Sequence, residues 1–281
     1  MIPRWNPIVD SIKVALATLN KLVKEEKIVN KKRGRKPKRD IVKYSFLIAL
    51  KEFDKKSLRS AEVNLSELVF NERIDHSVIA YWEKNPKMLS IVCKFINLAG
   101  ALLKKTLSSL FTFVDSTKFS SWNINETNVT VCNLVANQTV YPIGISYKKA
   151  DVVSGVDEAV PEGSGKVYAD AWYDEIETIK ILFKKGYTPI ICPNKKRYRG
   201  YYRRIARKLY KMPENRLGYR QRGRGESVFG SLTNYFGDRL NARRTSVMKT
   251  RIAIRILCYQ IRLLIRINNK LKLFLRHALN D

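Results

Sequence analysis

The chain of 281 residues is poor in cysteine, histidine and acidic residues, and each shortage excludes a class of protein. Its four cysteines are far apart and form no CxxC pair, which excludes a small disulfide-stabilised fold and predicts buried thiols in a reducing compartment. The two histidines, His76 and His277, argue against a Cys/His zinc site and against a histidine-based catalytic triad. Long uncharged apolar runs and a secretion signal are also missing, so we expect a soluble, cytoplasmic protein.

Acidic residues number 25 against 54 Lys and Arg, which gives a formal net charge of +29. A hydrophobic content of 45% with 10% aromatics indicates folded domains rather than a disordered basic tail. The charge favours a polyanionic partner, and nucleic acid is the usual one; an anionic membrane surface or an RNA-rich assembly is the alternative. The excess is uneven, because residues 31–39 contain seven basic residues and residues 195–281 contain 24 against four carboxylates.

The first part of the chain has the apolar spacing of short helices. We predict helices over 8–29, from Asp40 to Phe53, after Ser57 or the preceding Asp54, after Asp75 and over 87–105. Three short helices with tight connections are typical of a helix-turn-helix-like DNA-binding module, although helical bundles without DNA-binding function share the pattern. Residues 1–105 are therefore predicted to be a helical DNA-binding region, and 31–39 is either a solvated linker or an arm that follows phosphates.

Strand patterns begin near residue 110. β-branched and aromatic residues predict strands over 111–117, 129–135 and 140–146, followed by an acidic, Gly-rich loop over 151–165. A short strand, a helix and a further strand are predicted over 166–170, 173–185 and 188–193. This order indicates an α/β domain with a mixed sheet flanked by helices, covering residues 106–281.

Two further helices are predicted near the C-terminus, over 227–236 and 246–267. In the second, Arg251, Arg255, Arg262 and Arg266 fall on one stripe. The stripe is either the solvated face of a core helix or a basic surface that faces a phosphate backbone.

Three carboxylates stand out in so basic a chain. Asp115 and Asp170 lie at the C-terminal ends of predicted strands, where open α/β sheets place their sites, and Glu226 begins a predicted helix. Three carboxylates can hold two Mg²⁺ ions, which activate a water or hydroxyl and stabilise the leaving oxygen of a phosphodiester. An aspartate that ends a strand can also be a simple turn or cap residue.

Five motifs occur in a fixed order along residues 33–267. They are Arg33-Gly-Arg-Lys-Pro, Asp75-His-Ser-Val-Ile-Ala-Tyr-Trp82, Phe113-Val-Asp-Ser-Thr-Lys118, Tyr168-Ala-Asp-Ala-Trp-Tyr-Asp174, and Tyr219 with Arg222 and Glu226. The ordered set resembles the DDE transposases of prokaryotic insertion sequences, whereas each motif alone is weakly specific.

This resemblance implies an RNase H-like sheet in which Asp115, Asp170 and Glu226 are catalytic residues and ligands of two Mg²⁺ or Mn²⁺ ions. It also implies that Tyr219 and Arg222 position the substrate. The candidate DNA-binding residues are Tyr219, Arg222, Arg33, Arg35, Lys36, Arg243 and Arg244. One position departs from the family pattern: Thr233 stands where a Lys or Arg often follows the glutamate by seven residues. Arg239, or the pair Arg243 and Arg244, is a candidate replacement.

The resemblance implies a nucleoid-associated transposase that binds the inverted repeats of its element, cleaves the DNA strand and transfers it to target DNA. Its partner would be double-stranded DNA, with a homodimer on paired ends and no membrane. Two alternatives remain open at this point. One is a catalytically weak or domesticated transposase that acts as a DNA-binding protein, which Thr233 favours. The other is an RNase H-like nuclease with another role.

Overall fold

The computed structural model describes residues 39–107, 111–121, 124–136, 139–147, 151–197, 199–237 and 239–278. The predicted helix over 8–29 and most of the basic arm, with Arg33, Arg35 and Lys36, lie outside these residues. The chain divides into two compact units, one formed by residues 1–99 and 250–281 and the other by residues 100–249. The sequence-based division at residue 105 placed the whole C-terminal helix with the sheet, whereas its residues from 250 onward pack with the N-terminal helices.

The first unit is helical. Its helices are α1 (Ile41–Phe53), α2 (Leu58–Asn64), α3 (Ser66–Phe70), α4 (His76–Lys84), the first part of α5 (Pro86–Thr106) and most of α11 (Thr245–Ala278). The predicted cap at Asp40 is confirmed, and of the two candidates Ser57 and Asp54 it is Ser57 that caps α2. The Asp75 side chain caps α4, the helix predicted after it. Apolar side chains with no exposed surface form its core: Leu47, Ile48, Ile79, Val92, Phe95, Ile96, Ile252 and Ile256.

A buried network of ion pairs lies within this unit. Glu83 accepts a bidentate pair of bonds from Arg251, with both nitrogen–oxygen distances 2.9 Å, and lies 3.1 Å from the Lys51 ammonium. Glu52 pairs with Lys51 at 2.8 Å and with Arg255 at 3.2 Å. Both interpretations of the arginine stripe are therefore wrong for Arg251 and Arg255, since these side chains neutralise buried carboxylates on α1 and α4.

The second unit is built on a five-stranded mixed sheet. The strands are β1 (Phe111–Ser121), β2 (Ile124–Ala136), β3 (Thr139–Ser146), β4 (Gly165–Ala169) and β5 (Tyr187–Ile191). They lie in the order β3-β2-β1-β4-β5, with antiparallel pairing among the first three and parallel pairing of β4 with β1 and β5. This is the α/β, RNase H-like arrangement that the sequence predicted.

Helices flank the sheet within the same unit: α6 (Val152–Ala159), α7 (Ile176–Lys184), α8 (Tyr201–Lys211), α9 (Pro213–Arg220) and α10 (Glu226–Phe236). Two 3₁₀ helices, Ala171–Tyr173 and Gln221–Gly225, precede α7 and α10. Gly186 ends α7 with φ +89, the positive φ expected of a glycine after a helix.

The prediction of a loop over 151–165 was wrong for α6. The Asp151 carboxylate accepts the N–H of Val153 and caps the helix, and Val156 and Ala159 are buried. Helix α6 lies so close to β3 that a Cβ on Gly144 would lie 2.1 Å from the Ala159 carbonyl oxygen. Tertiary packing therefore stabilises a helix in a segment whose composition favours a loop.

The four cysteines are all free. The prediction of buried thiols is confirmed for Cys132 and Cys258 and wrong for Cys93 and Cys192, which are half-buried. Within the described ranges, every helix falls short of the length or the apolar character that a membrane span requires.

Candidate active site

Asp115 and Asp170 are brought together by the parallel pairing of β1 with β4. Phe113 lies opposite Tyr168 in this pairing, so the same register continued by two residues brings Asp115 level with Asp170, which directly follows β4. Both side chains line one cavity of about 300 Å³. The predicted place at the C-terminal end of a strand is confirmed for Asp170 and wrong for Asp115, because β1 continues to Ser121.

Main-chain N–H groups hold one oxygen of each aspartate. Oδ1 of Asp115 accepts the N–H of Ser116 at 2.9 Å, and Oδ1 of Asp170 accepts the N–H of Trp172 at 2.9 Å. The second interaction caps the 3₁₀ helix that follows β4. Each aspartate therefore keeps its Oδ2 for other partners.

Glu226 belongs to a later part of the chain and is the first residue of α10. The preceding Gly225 lies against the ring of Phe113, where an added Cβ would be 3.4 Å from Cδ2. The Glu226 side chain is exposed and makes no hydrogen bond with a described residue. Oxygens of the three carboxylates do not all lie within 4.8 Å of one another among the described residues. The fold thus joins Asp115 and Asp170 in one cavity, whereas Glu226 does not line that cavity.

Electrostatics link all three carboxylates. Burial raises the pKa of Asp115, and the negative charges of Asp170 and Glu226 raise it further. The Ser116 N–H and the Arg222 guanidinium act in the opposite direction but do not cancel the effect. The three carboxylates are close enough to repel one another, and a bound cation would relieve this repulsion.

Arg222 lies inside the site. Its Nη1 is 3.5 Å from Oδ2 of Asp170, and its guanidinium carbon is 5.9 Å from the centroid of the Tyr219 ring. Tyr219 packs edge-on against Tyr210, and burial raises the pKa of its hydroxyl, so the hydroxyl is neutral. Contact of Tyr219 and Arg222 with DNA remains a prediction, as it does for Arg243 and Arg244, which are exposed before α11.

Three hydroxyl groups form a connected chain next to Asp115, and we did not predict this chain from the sequence. The Tyr173 hydroxyl is 2.5 Å from Oγ of Ser116, which in turn lies 3.1 Å from Oγ1 of Thr130. Burial raises the pKa of Tyr173, and Asp115 and Asp170 add to the effect, so the phenol stays protonated. The signal was available in the motif, because Ser116 follows the first aspartate and Tyr173 follows the second by three residues.

Asp174 connects the strand that carries Asp170 to later parts of the chain. Its carboxylate accepts the N–H of Asn194 at 2.8 Å and Nε of Arg203 at 3.2 Å. Its carbonyl oxygen accepts Arg197 and Arg203, each at 3.2 Å. Asp174 is 3% exposed, so its charge is neutralised by Arg203 rather than by solvent.

Thr233 does not supply a cation to the site. Its hydroxyl donates to the carbonyl oxygens of Phe229 and Gly230 on its own helix. Arg239, one candidate replacement, is exposed. Its main chain forms an isolated parallel β-bridge with that of Ser120 near the end of β1.

A second group of potential ligands lies in the first unit. Donor atoms of Glu62, Asp75 and His76 all lie within 4.8 Å of one another. Glu62, however, already pairs with Arg73 at 2.7 Å and accepts both the N–H and Nδ1 of His76. These bonds, with that to His76 first, lower the pKa of Glu62. The group is therefore explained as the ion-paired start of α4.

The donor set near β1 and β4 fits a hard divalent cation. Asp115 and Asp170 both line the shared cavity, and Glu226 lies near enough to act electrostatically on Asp115. Mg²⁺ and Mn²⁺ prefer oxygen ligands and retain several waters, so few protein ligands suffice.

Residues 108–261 match a family model described as the transposase DDE domain. No curated protein and no solved structure matches the chain. The matched segment is more than half of the chain and contains Asp115, Asp170 and Glu226. Use of a divalent metal and of DNA is general in this family. With its carboxylate-bearing mixed sheet, the chain belongs to the family of transposases with a DDE domain.

Proposed function

We propose that this protein is the transposase of a prokaryotic insertion sequence. It binds double-stranded DNA at the inverted repeats of the element, cleaves the strand at each end and joins the freed 3′ hydroxyl to target DNA. The observation that supports this best is the meeting of Asp115 and Asp170 in one cavity, with Glu226 in electrostatic reach, within a chain of net charge +29.

The proposed metal ligands are Asp115, Asp170 and Glu226, for two Mg²⁺ or Mn²⁺ ions. Bound ions of this kind lower the pKa of a water or hydroxyl and stabilise a leaving oxygen. Arg222 lies beside Oδ2 of Asp170 and favours the ionised form of Asp115, which is the form that binds metal. Ser116 and Tyr173 fix the β1 backbone beneath Asp115 and thereby its side-chain direction.

In this proposal, the basic residues have two different roles in DNA binding. Arg33, Arg35 and Lys36 of the arm, with Arg243 and Arg244, contact phosphates, whereas Tyr219 and Arg222 position the strand near the carboxylates. The protein acts in the cytoplasm at the nucleoid, as a homodimer that holds two element ends.

The test compares purified wild-type protein with the variants Asp115→Asn and Asp170→Asn on DNA that carries an inverted-repeat end, in Mg²⁺ or Mn²⁺. We expect both variants to cleave at least about 100-fold more slowly, because each loses a ligand charge, while DNA binding is retained. The matched control is Asp157→Asn, an exposed carboxylate of the same unit that pairs with Lys185. Equal cleavage by all four proteins would refute the assignment.

A DNA-binding protein with weak or no chemistry is the second candidate, because the Thr233 hydroxyl is bonded to its own helix where the family often has a cation. DNA binding without cleavage of genuine end DNA in either metal would select it. Hydrolysis without strand-transfer products would instead select a nuclease.

A further inference from the structure

Helix α8 presents one uniformly exposed face, which we call the outer face of α8. Its exposed residues are Tyr201, Arg204, Lys208 and Lys211. Their spacing of three, four and three residues places them in one arc of the helix. Ala206, on the opposite side, is 3% exposed and faces the unit. Three of the four outward positions are therefore cations.

The other cations of α8 are used internally. Arg203 pairs with the buried Asp174, and Arg207 donates to the carbonyl oxygen of Asn194 at 3.0 Å and to that of Arg197. The side chains of Arg204 and Lys208, by contrast, make no hydrogen bond or ion pair with any described residue, and the same holds for Lys211. The helix thus separates cations that hold the fold from cations that face solvent.

Helices α8 and α9 are tied at both ends to the segment that carries the second aspartate. Arg203 near the start of α8 binds Asp174, and Arg222 just after α9 lies 3.5 Å from Asp170. Between them, Gly218 packs against Tyr168 of β4, where a Cβ would lie 2.1 Å from the phenol oxygen. The outer face of α8 is therefore held in a fixed position relative to the carboxylate site.

The surrounding sequence offers almost no carboxylate to neutralise these cations. Residues 199–225 contain ten Lys and Arg and one acidic residue, Glu214. Unpaired like charges at such density repel one another, and a bound polyanion relieves this repulsion. The phosphate backbone of DNA is such a polyanion, and DNA is already the substrate in the proposed function.

We infer that the outer face of α8 binds the phosphate backbone of duplex DNA beside the carboxylate site. This inference rests on the proposed function. The rise from Arg204 to Lys211 is roughly 10 Å, which spans about three phosphates of one strand. The inferred contacts are with phosphates and not with base edges, so the contribution of this face is independent of sequence.

The test uses the full chain with Arg204→Gln, Lys208→Gln and Lys211→Gln combined. Binding to a fluorescein-labelled duplex of random sequence is followed by fluorescence anisotropy over a series of NaCl concentrations. Each lost phosphate contact reduces the slope of log K against log salt by about 0.9, so we expect a reduction of about 2.7. Circular dichroism checks that the variant keeps its helices.

The matched control removes the same charge elsewhere in the unit, through Lys184→Gln, Lys195→Gln and Lys196→Gln, all exposed. We expect its slope to stay near that of the wild type. An unchanged slope in the α8 variant, or an equal reduction in both variants, would overturn the inference. Normal salt-dependent binding without any cleavage would refute the proposed chemistry and leave the inference standing. A wild-type protein that does not bind duplex DNA would refute both.

Discussion

Carboxylates occur in two opposite settings in this molecule. In the helical unit, Glu52 and Glu83 are buried among Lys51, Arg251 and Arg255. Burial alone would raise the pKa of Glu52, but the three cations outweigh it and the pKa is lowered. In the sheet unit, Asp115 is partly buried beside two further carboxylates and its pKa is raised. The first setting neutralises charge and the second accumulates it.

This difference separates carboxylates that hold the fold from those available for chemistry. A buried carboxylate that is paired with two or three cations, as Glu52 and Glu83 are, cannot accept a metal without losing a partner. A carboxylate with a raised pKa lacks such partners and gains from a cation. The burial of a carboxylate and the net charge of the chain would not by themselves distinguish the two settings, because both settings lie in a strongly basic chain.

The largest effect is expected where the paired setting is broken. Glu83→Gln leaves Lys51 and Arg251 with one buried carboxylate between them, so we expect a loss of about 3–5 kcal/mol in the free energy of unfolding. Urea denaturation followed by circular dichroism measures it. The control is Glu67→Gln, an exposed residue of α3, which should change stability by less than about 0.5 kcal/mol. Similar effects of the two substitutions would show that the network is not structural.

A smaller effect is expected where Arg222, the cation beside Asp170, is removed. Arg222 lowers the pKa of Asp115, so Arg222→Gln should raise that pKa and move the acid limb of the pH–rate profile to higher pH. At neutral pH we expect cleavage to fall by about 10–100-fold, with partial recovery in more alkaline buffer. Arg220→Gln, an exposed neighbour, should leave the limb in place. An unmoved limb in Arg222→Gln would contradict the electrostatic role.

The smallest effect concerns stability and has a characteristic sign. Because the folded-state pKa of Asp115 is raised, its stabilising contribution is present below the ordinary Asp pKa and is lost as pH rises through the raised value. Asp115→Asn should therefore match the wild type in acid and exceed its stability at neutral pH, by less than about 1 kcal/mol. Denaturation in a chelator across a pH series measures this.

The contribution of Glu52 to stability depends on pH with the opposite sign. The lowered pKa of Glu52 means that its contribution is present above the ordinary Glu pKa and is lost as pH falls through the lowered value. If Asp115→Asn were instead less stable than the wild type at neutral pH, the predicted contrast between Asp115 and Glu52 would be wrong.

The sequence predicted the sheet and its two aspartates because these depend on local pattern. β-branched and aromatic residues mark β1 and β2 on their own, and Asp115 and Asp170 lie at or just after strands that pair in parallel. Helix caps at Asp40 and Asp75 likewise act within two residues. Features set by neighbours in the sequence could therefore be predicted.

Features set by distant partners could not. Arg251 meets Glu83 across 168 residues, and nothing in the helix that carries Arg251 indicates that its charge is buried. Helix α8 has apolar residues at helical spacing, at Tyr202, Ile205, Ala206 and Leu209, but this local pattern does not show what its cations bind. Arg203 and Arg207 bind Asp174 and main-chain carbonyls that lie elsewhere in the chain. In both helices, the partner of a cation is set by the fold and not by its neighbours in the sequence.

The N–H groups that hold Asp115 and Asp170 have a consequence for how metal is taken up. Each Oδ1 accepts one main-chain N–H, which restrains the direction in which each carboxylate points. The side-chain rotamers are thereby fixed before any ion arrives, so little conformational entropy is lost on loading. If Asp115 and Asp170 hold the ion, their carboxylates are restrained in advance, and the remaining adjustment would fall to the exposed side chain of Glu226.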